Sequence, residues 1–196
     1  SMVFGFGKKK SNVIPEKEVQ SERQVKLNDI RQILSDIEKP SVEKTMSETK
    51  ELREKISKHR NNLLELITKL EKDDLKLDDV DKNLRIIINR GKNSVISTFK
   101  KETTSNFSNI TKYDDVLSFN NELTQMLKRI GDVLGLNTRI MHVFAKKYAD
   151  ELKNEIGHIA TLRNSLHAII LEHKSIKDSC ANIEKLNSEY MELTKT

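Results

Sequence analysis

Apolar residues recur through the last third of the chain in a seven-residue pattern. One line of positions reads Ile159, Leu166, His173, Cys180 and Asn187, and a second reads Leu162, Ile169, Ile176, Ile183 and Tyr190. Charged and small polar residues such as Arg163, Glu172, Lys174 and Asp178 fill the positions between. A narrow two-position stripe on a polar background is the signature of a long helix packed lengthwise on others. The same spacing runs earlier through Leu27, Ile30, Leu34 and Ile37, then through Val42, Met46, Leu52, Ile56, Leu63, Ile67 and Leu70. Pro40 falls between those two runs and is expected to kink or interrupt the helix, because its nitrogen carries no proton and its ring crowds the preceding turn.

The acidic stretch 71–79, with Asp73, Asp74, Asp78 and Asp79, reads as a turn followed by an acid-rich helix start. Val80, Leu84, Ile87, Ile88, Val95 and Phe99 then lie on one predicted face, and Val116, Phe119, Leu123, Met126 and Ile130 continue it. The polar run 103–108 weakens the helix between these sets, and Thr111-x-x-Asp114 offers a cap-like restart. Gly131 to Thr138, with two glycines and an Asn, is the next expected turn. Gly157 reads as a close-packing position inside the last helix.

The pattern predicts an all-α protein: a tail over 1–15, then an elongated helical coiled-coil domain over 16–196. Its leading parse is three long, kinked, antiparallel helices over about 16–71, 77–130 and 138–194, each about 80 Å long at 1.5 Å per residue. So thin a bundle leaves apolar surface for a second copy, so a homodimer is expected. The competing parse takes 103–111 and Gly157 as turns and gives four or five shorter helices in a compact bundle. The seam positions Ile159, Leu162, Leu166, Ile169, His173, Ile176, Cys180 and Ile183 are the expected helix or dimer contact. Polar His173, Cys180 and Asn187 would set its register.

Composition narrows the function. A chain that is 33% charged and 36% hydrophobic, with six Gly, two Pro and no Trp, suits an elongated helical protein. No window reaches the roughly 18 apolar residues that suggest a membrane-spanning helix. The single Cys180 excludes an internal disulfide and fits a reducing, cytoplasmic setting. The net charge of +5 is modest but unevenly placed: residues 82–147 hold twelve basic side chains against five acidic ones, an excess of seven. Such a basic middle points to a polyanionic surface, membrane or nucleic acid. In the tail, Phe4 and Phe6 precede Lys8, Lys9 and Lys10, an arrangement suited to wedging aromatics below lipid headgroups that the lysines contact.

No catalytic signature is present: there is no glycine-rich phosphate loop, no His-Glu-x-x-His and no nucleophile motif. Glu155-x-x-His158 has the spacing of one half of a di-iron pair, but no second Glu-x-x-His accompanies it, so neither a metal nor another cofactor is expected.

Two local stretches suggest a family. Lys112-Tyr-Asp-Asp-Val-Leu-Ser-Phe-Asn-Asn-Glu-Leu123 is similar to the second-helix stretch of the BAR domain family, the amphiphysin-type membrane-curvature modules. Glu151-Leu-Lys-Asn-Glu-Ile156 followed by Leu162-Arg163 resembles that family's third-helix pattern. The resemblance implies a crescent-shaped dimer whose basic face lies against anionic phospholipid, peripheral to the membrane. It places Lys100, Lys101 and Lys112 on the second helix, Lys128, Arg129 and Arg139 about the tip, and Lys146 and Lys147 at the start of the third. An apolar N-terminus before a basic helical hairpin also resembles ESCRT-III filament proteins, although no acidic autoinhibitory tail follows. The reading from a different class is a coiled-coil scaffold with helical protein partners, or a nucleic-acid binder using dispersed lysines. The scarcity of aromatics among the basic residues argues against single-strand recognition.

Overall fold

The computed structural model describes the chain from residue 16 to 195, with side-chain environments from residue 28. The Phe4, Phe6 and Lys8–Lys10 tail motif lies outside the described residues. Five helices follow in order: α1 (Glu16–Lys72), α2 (Lys82–Thr104), α3 (Tyr113–Leu136), α4 (Thr138–Phe144) and α5 (Lys146–Leu193). The chain divides into two compact units. One is Ser41–Ser175; the other joins the part of α1 up to Pro40 with the part of α5 from Ile176.

The larger unit is a helical bundle in which α1, α2, α3 and α5 share one apolar core. Ile56, Leu63, Ile67 and Leu70 of α1, Val95 and Phe99 of α2, Phe119, Leu123, Met126 and Ile130 of α3, and Leu152, Ile159 and Leu166 of α5 are all buried in it. Burying a Leu, Ile or Phe fully is worth about 1.5–3 kcal/mol, so this three- and four-residue spacing holds the bundle together.

The stretch expected as one helix over 77–130 is two. Its polar run supplies hydroxyls that compete for the last carbonyls of α2: Thr103 donates to Phe99 O at 2.6 Å, Thr104 to Lys100 O at 2.6 Å and Ser105 to Lys101 O at 2.7 Å. Ser105 then turns extended, with φ −64° and ψ 137°. The loop sends Phe107 and Ile110 into the core, which compensates for the broken helix. α3 restarts one residue later than the cap-like motif implied. Asp115, and not Asp114, accepts from Thr111 N and Oγ1 and from Lys112 N at 2.7–3.0 Å.

The acidic stretch forms the expected turn, but no helix starts within it. Leu75 and Lys76 take left-handed φ values of 57° and 51°, which cost a side-chain-bearing residue roughly 1–2 kcal/mol each. Asp73 and Asp74 offset that cost by accepting from Leu75 N at 2.8 Å and Lys76 N at 3.0 Å, the Asx-turn arrangement. α2 starts only at Lys82, where the Asp81 carboxylate accepts from Asn83 N and Leu84 N.

The glycines at 131 and 135 do not turn the chain; both lie within α3. The break falls at Asn137 (φ −114°, ψ 18°), whose amide group donates to Val133 O. A second break at Ala145 separates α4 from α5, so the helix expected from 138 begins anew at Lys146. Gly157 is helical, and Pro40 lies inside α1 at the boundary between the two units.

In the smaller unit, Leu34 of α1 and Cys180 of α5 are buried, and Arg31 pairs with Glu184 at 3.4 Å. Ile33, Ile37, Ile183, Leu186, Tyr190 and Leu193 remain exposed there.

Candidate functional site

The basic residues singled out in the sequence are spread along the length of the larger unit. Lys112 precedes α3 at the end of the larger unit where α2 has just finished. Arg139, Lys146 and Lys147 sit at the other end, on α4 and the first turn of α5. Lys100 and Lys101 stand close to the Lys112 end, about the last turn of α2, and Lys128 and Arg129 lie between the ends on α3. Two of them are committed to carboxylates: Lys100 pairs with Glu71, and Arg129 reaches Glu102 at 3.4 Å. Glu102 is buried, so Arg129 neutralises a carboxylate that would otherwise be costly to leave in the core. Lys101, Lys112, Lys128, Arg139, Lys146 and Lys147 are exposed and make no ion pair among the described residues.

The end carrying Arg139, Lys146 and Lys147 is assembled by specific contacts. Tyr148 of α5 donates its hydroxyl to Asp73 Oδ2 at 2.7 Å, and Lys92 of α2 donates to Asp73 O. That hydrogen bond holds the Asp73 carboxyl below its usual range, aided by the Leu75 amide, and pushes the Tyr148 phenol up to about 12. α4 crosses α2 at Gly91, where a Cβ would stand 2.8 Å from Asn137 Oδ1 and 2.9 Å from Ile140 Cδ1. Here the absent side chain permits close approach. The 73–81 loop, the start of α2, α4 and the start of α5 therefore share one end of the bundle.

The opposite end is held by arginines that sequence reasoning passed over. Arg53 donates from Nε to Ser108 O and from Nη2 to Phe107 O, both at 3.0 Å. Arg60 donates to Ser105 O at 2.6 Å and lies 3.9 Å over the Phe107 ring. Burial, followed by the nearby Arg53 charge, lowers the Arg60 pKa, while Glu102 and Glu122 act in the other direction. Glu122 in turn accepts from Ser108 N at 2.9 Å and from the Ser108 hydroxyl. Basic residues on an otherwise apolar-patterned helix were the only available signal, and many surface helices carry the same pattern.

The seam divides by position. Ile159, Leu166, His173 and Cys180 are buried within the chain's own units, Leu162, Ile169 and Ile176 are half-buried, and Ile183 is exposed. His173 Nδ1 lies 2.7 Å from Ser41 Oγ, and its ring sits against Tyr113 with centroids 4.6 Å apart. His173 is buried and Ser41 half-buried, so this polar contact ties α1 to α5 within the larger unit. Burial is the main cause that raises the Cys180 thiol pKa, with Glu38 adding to it.

Glu155 and His158 are met by α1. Glu155 lies 2.6 Å from His59 Nδ1 and accepts from Asn62 at 3.3 Å, and His59 stacks on His158 with centroids 4.9 Å apart. Among the described residues no group of three or more His, Cys, Asp or Glu side chains is placed to hold a metal ion, and no helix is long and apolar enough to cross a membrane. Compared with protein-family models, with curated proteins and with solved structures, the chain matches none.

Proposed function

We propose that this chain is a non-enzymatic helical module that binds the surface of anionic membranes. The observation that carries the reading is the set of six exposed cations, Lys101, Lys112, Lys128, Arg139, Lys146 and Lys147, without ion-pair partners among the described residues. A Lys or Arg near an anionic leaflet contributes about 1 kcal/mol, so each needs little from its neighbours to matter in sum. In the BAR-like form of this proposal, the module works as a curved homodimer that senses or generates curvature. The α2–loop–α3 stretch then takes the place of the second long helix, and dimerisation doubles the cations engaged at once. The exposed Ile183, Leu186, Tyr190 and Leu193, spaced by three and four residues along α5, support a helix-mediated dimer in the smaller unit.

The test is co-sedimentation with anionic and neutral vesicles of several diameters, with duplex DNA as soluble competitor, beside sedimentation velocity. Pelleting with anionic vesicles that is lost on reversing Lys101, Lys146 and Lys147 to Glu supports the reading. Absence of pelleting at low salt refutes it. Preferential release by DNA moves the protein to nucleic-acid binding, and a monomer at all concentrations removes the dimer.

A further inference from the structure

The larger unit leaves seven large apolar side chains substantially exposed among the described residues. Five of them, Leu84, Ile86, Ile87, Leu136 and Val143, belong to one end. Leu136 is 86% exposed and Val143 61%. The sequence pattern assigns Leu84 and Ile87 to the core face of α2. In the structure Ile88 is fully buried, but Leu84 and Ile87 are 40% and 52% exposed. The cause is a projection. Lys92 reaches the carbonyl of Asp73, the first residue beyond α1. The ten residues of α2 before Lys92, about 15 Å of helix, therefore extend past the end of α1, beside the 73–81 loop and with α4 crossing at Gly91, which covers Ile88 but leaves Leu84 and Ile87 open.

We propose that this projecting end enters the headgroup and upper acyl region of an anionic phospholipid bilayer. The proposal rests on the membrane-surface reading above and names the part of the molecule that makes the contact. Two features select a bilayer over a flat protein partner. First, at 100° per residue Leu84 and Ile87 fall on the Gly91 side of α2, whereas Ile86 falls on the opposite side. A rigid partner covers one side of a helix, but a fluid acyl layer surrounds a helix end and covers both. Second, Lys82, Arg90, Arg139, Lys146 and Lys147 are exposed around the same end and make no ion pair among the described residues, as lipid phosphates require. A second copy docked here about a two-fold axis would bring these cations towards one another. Asp78 and Asp79 also face solvent at this end and oppose the approach to an anionic surface.

The absence of Trp makes a direct test available. Leu136→Trp places a reporter at the proposed contact. Leu117→Trp places one near the start of α3, towards the other end of the bundle. With vesicles of phosphatidylserine and phosphatidylcholine, Leu136→Trp is expected to shift its emission to the blue and to be quenched by brominated acyl chains, while Leu117→Trp does neither. Ile86→Glu with Ile87→Glu is expected to weaken vesicle binding at least tenfold with an unchanged far-UV spectrum. Asp78→Asn with Asp79→Asn is expected to strengthen it. If vesicles bind but Leu136→Trp stays unshifted and the Ile86/Ile87 pair binds normally, the end-on contact is wrong and the membrane reading stands. If the unsubstituted chain does not bind vesicles, both fail. A blue shift of Leu136→Trp that grows with protein concentration without lipid assigns this end to a second copy and overturns the proposal.

Discussion

Arg53→Ala gives the sharpest check on how the α2–α3 loop is held. The guanidinium makes two charge-assisted hydrogen bonds, to Phe107 O and Ser108 O at 3.0 Å each, and a longer one to Asn109 Oδ1 at 3.3 Å. Hydrogen bonds to charged groups contribute about 1.5–3 kcal/mol each, so the two carbonyl contacts set a gross figure of about 3–6 kcal/mol. Two effects reduce it. Arg53 is only half-buried, so water reaches part of the vacated space and solvates the carbonyls. Its charge also opposes that of Arg60, and removing it relieves a repulsion across two helical turns, about 10 Å. The net expectation is a loss of about 2 kcal/mol, which for a chain of this length lowers Tm by roughly 4–8 °C. Arg53→Lys should recover no more than about half, because a single ammonium does not reproduce the planar fork. Urea unfolding followed by circular dichroism measures the loss. Hydrogen exchange should show amides in 105–112 protected less while those of the core helices keep their order. A change under about 0.5 kcal/mol, or complete rescue by Lys, would refute the idea that the loop is fastened by bidentate donation.

Other outcomes follow from the same packing. Phe119→Ala removes a fully buried ring that meets Phe107 edge-on with centroids 5.1 Å apart, so thermal unfolding should report a loss of about 3–5 kcal/mol, against about 1 kcal/mol for Phe119→Leu. For the Asp73–Tyr148 pair, the lowered carboxyl pKa stabilises the fold at pH above about 4 and loses its effect as pH falls through the folded value. The raised phenol pKa stabilises below about 10, an effect lost as pH climbs to about 12. The Tm difference between the parent and Tyr148→Phe should therefore be constant between those limits and shrink on both sides. A difference independent of pH across both limits would contradict the pairing. Cys180, buried and with its thiol pKa raised, should react with a disulfide reagent at pH 7 at least about tenfold more slowly in the folded chain than in denaturant. Equal rates would show that the site is open.

The helical class and most of the core were legible from periodicity alone. Leu52, Ile56, Leu63, Ile67, Val95, Phe99, Phe119, Leu123, Ile159 and Leu166 all stand where three- and four-residue spacing places them, because burying one face of a helix leaves that trace in any sequence. Helix ends were less legible. Thr103, Thr104 and Ser105 weaken the helix without by themselves ending it; the burial of Phe107 and Ile110, and the hold of Arg53 and Arg60, make the break favourable. Likewise, the turn expected over 131–138 falls at its Asn137, while the packing of Ile130, Val133 and Leu134 keeps the glycines at 131 and 135 helical. Charge was legible as a count and not as a surface: Arg129 and Lys100 read like Lys101 and Lys128 until tertiary structure brought Glu102 and Glu71 beside them. Leu84 and Ile87 obey the core period yet face solvent, since a period records which side of a helix is apolar and not whether a neighbouring helix extends far enough to cover it. How far each helix reaches beside its neighbours depends on loops and remote contacts, and those exist only once the chain has folded.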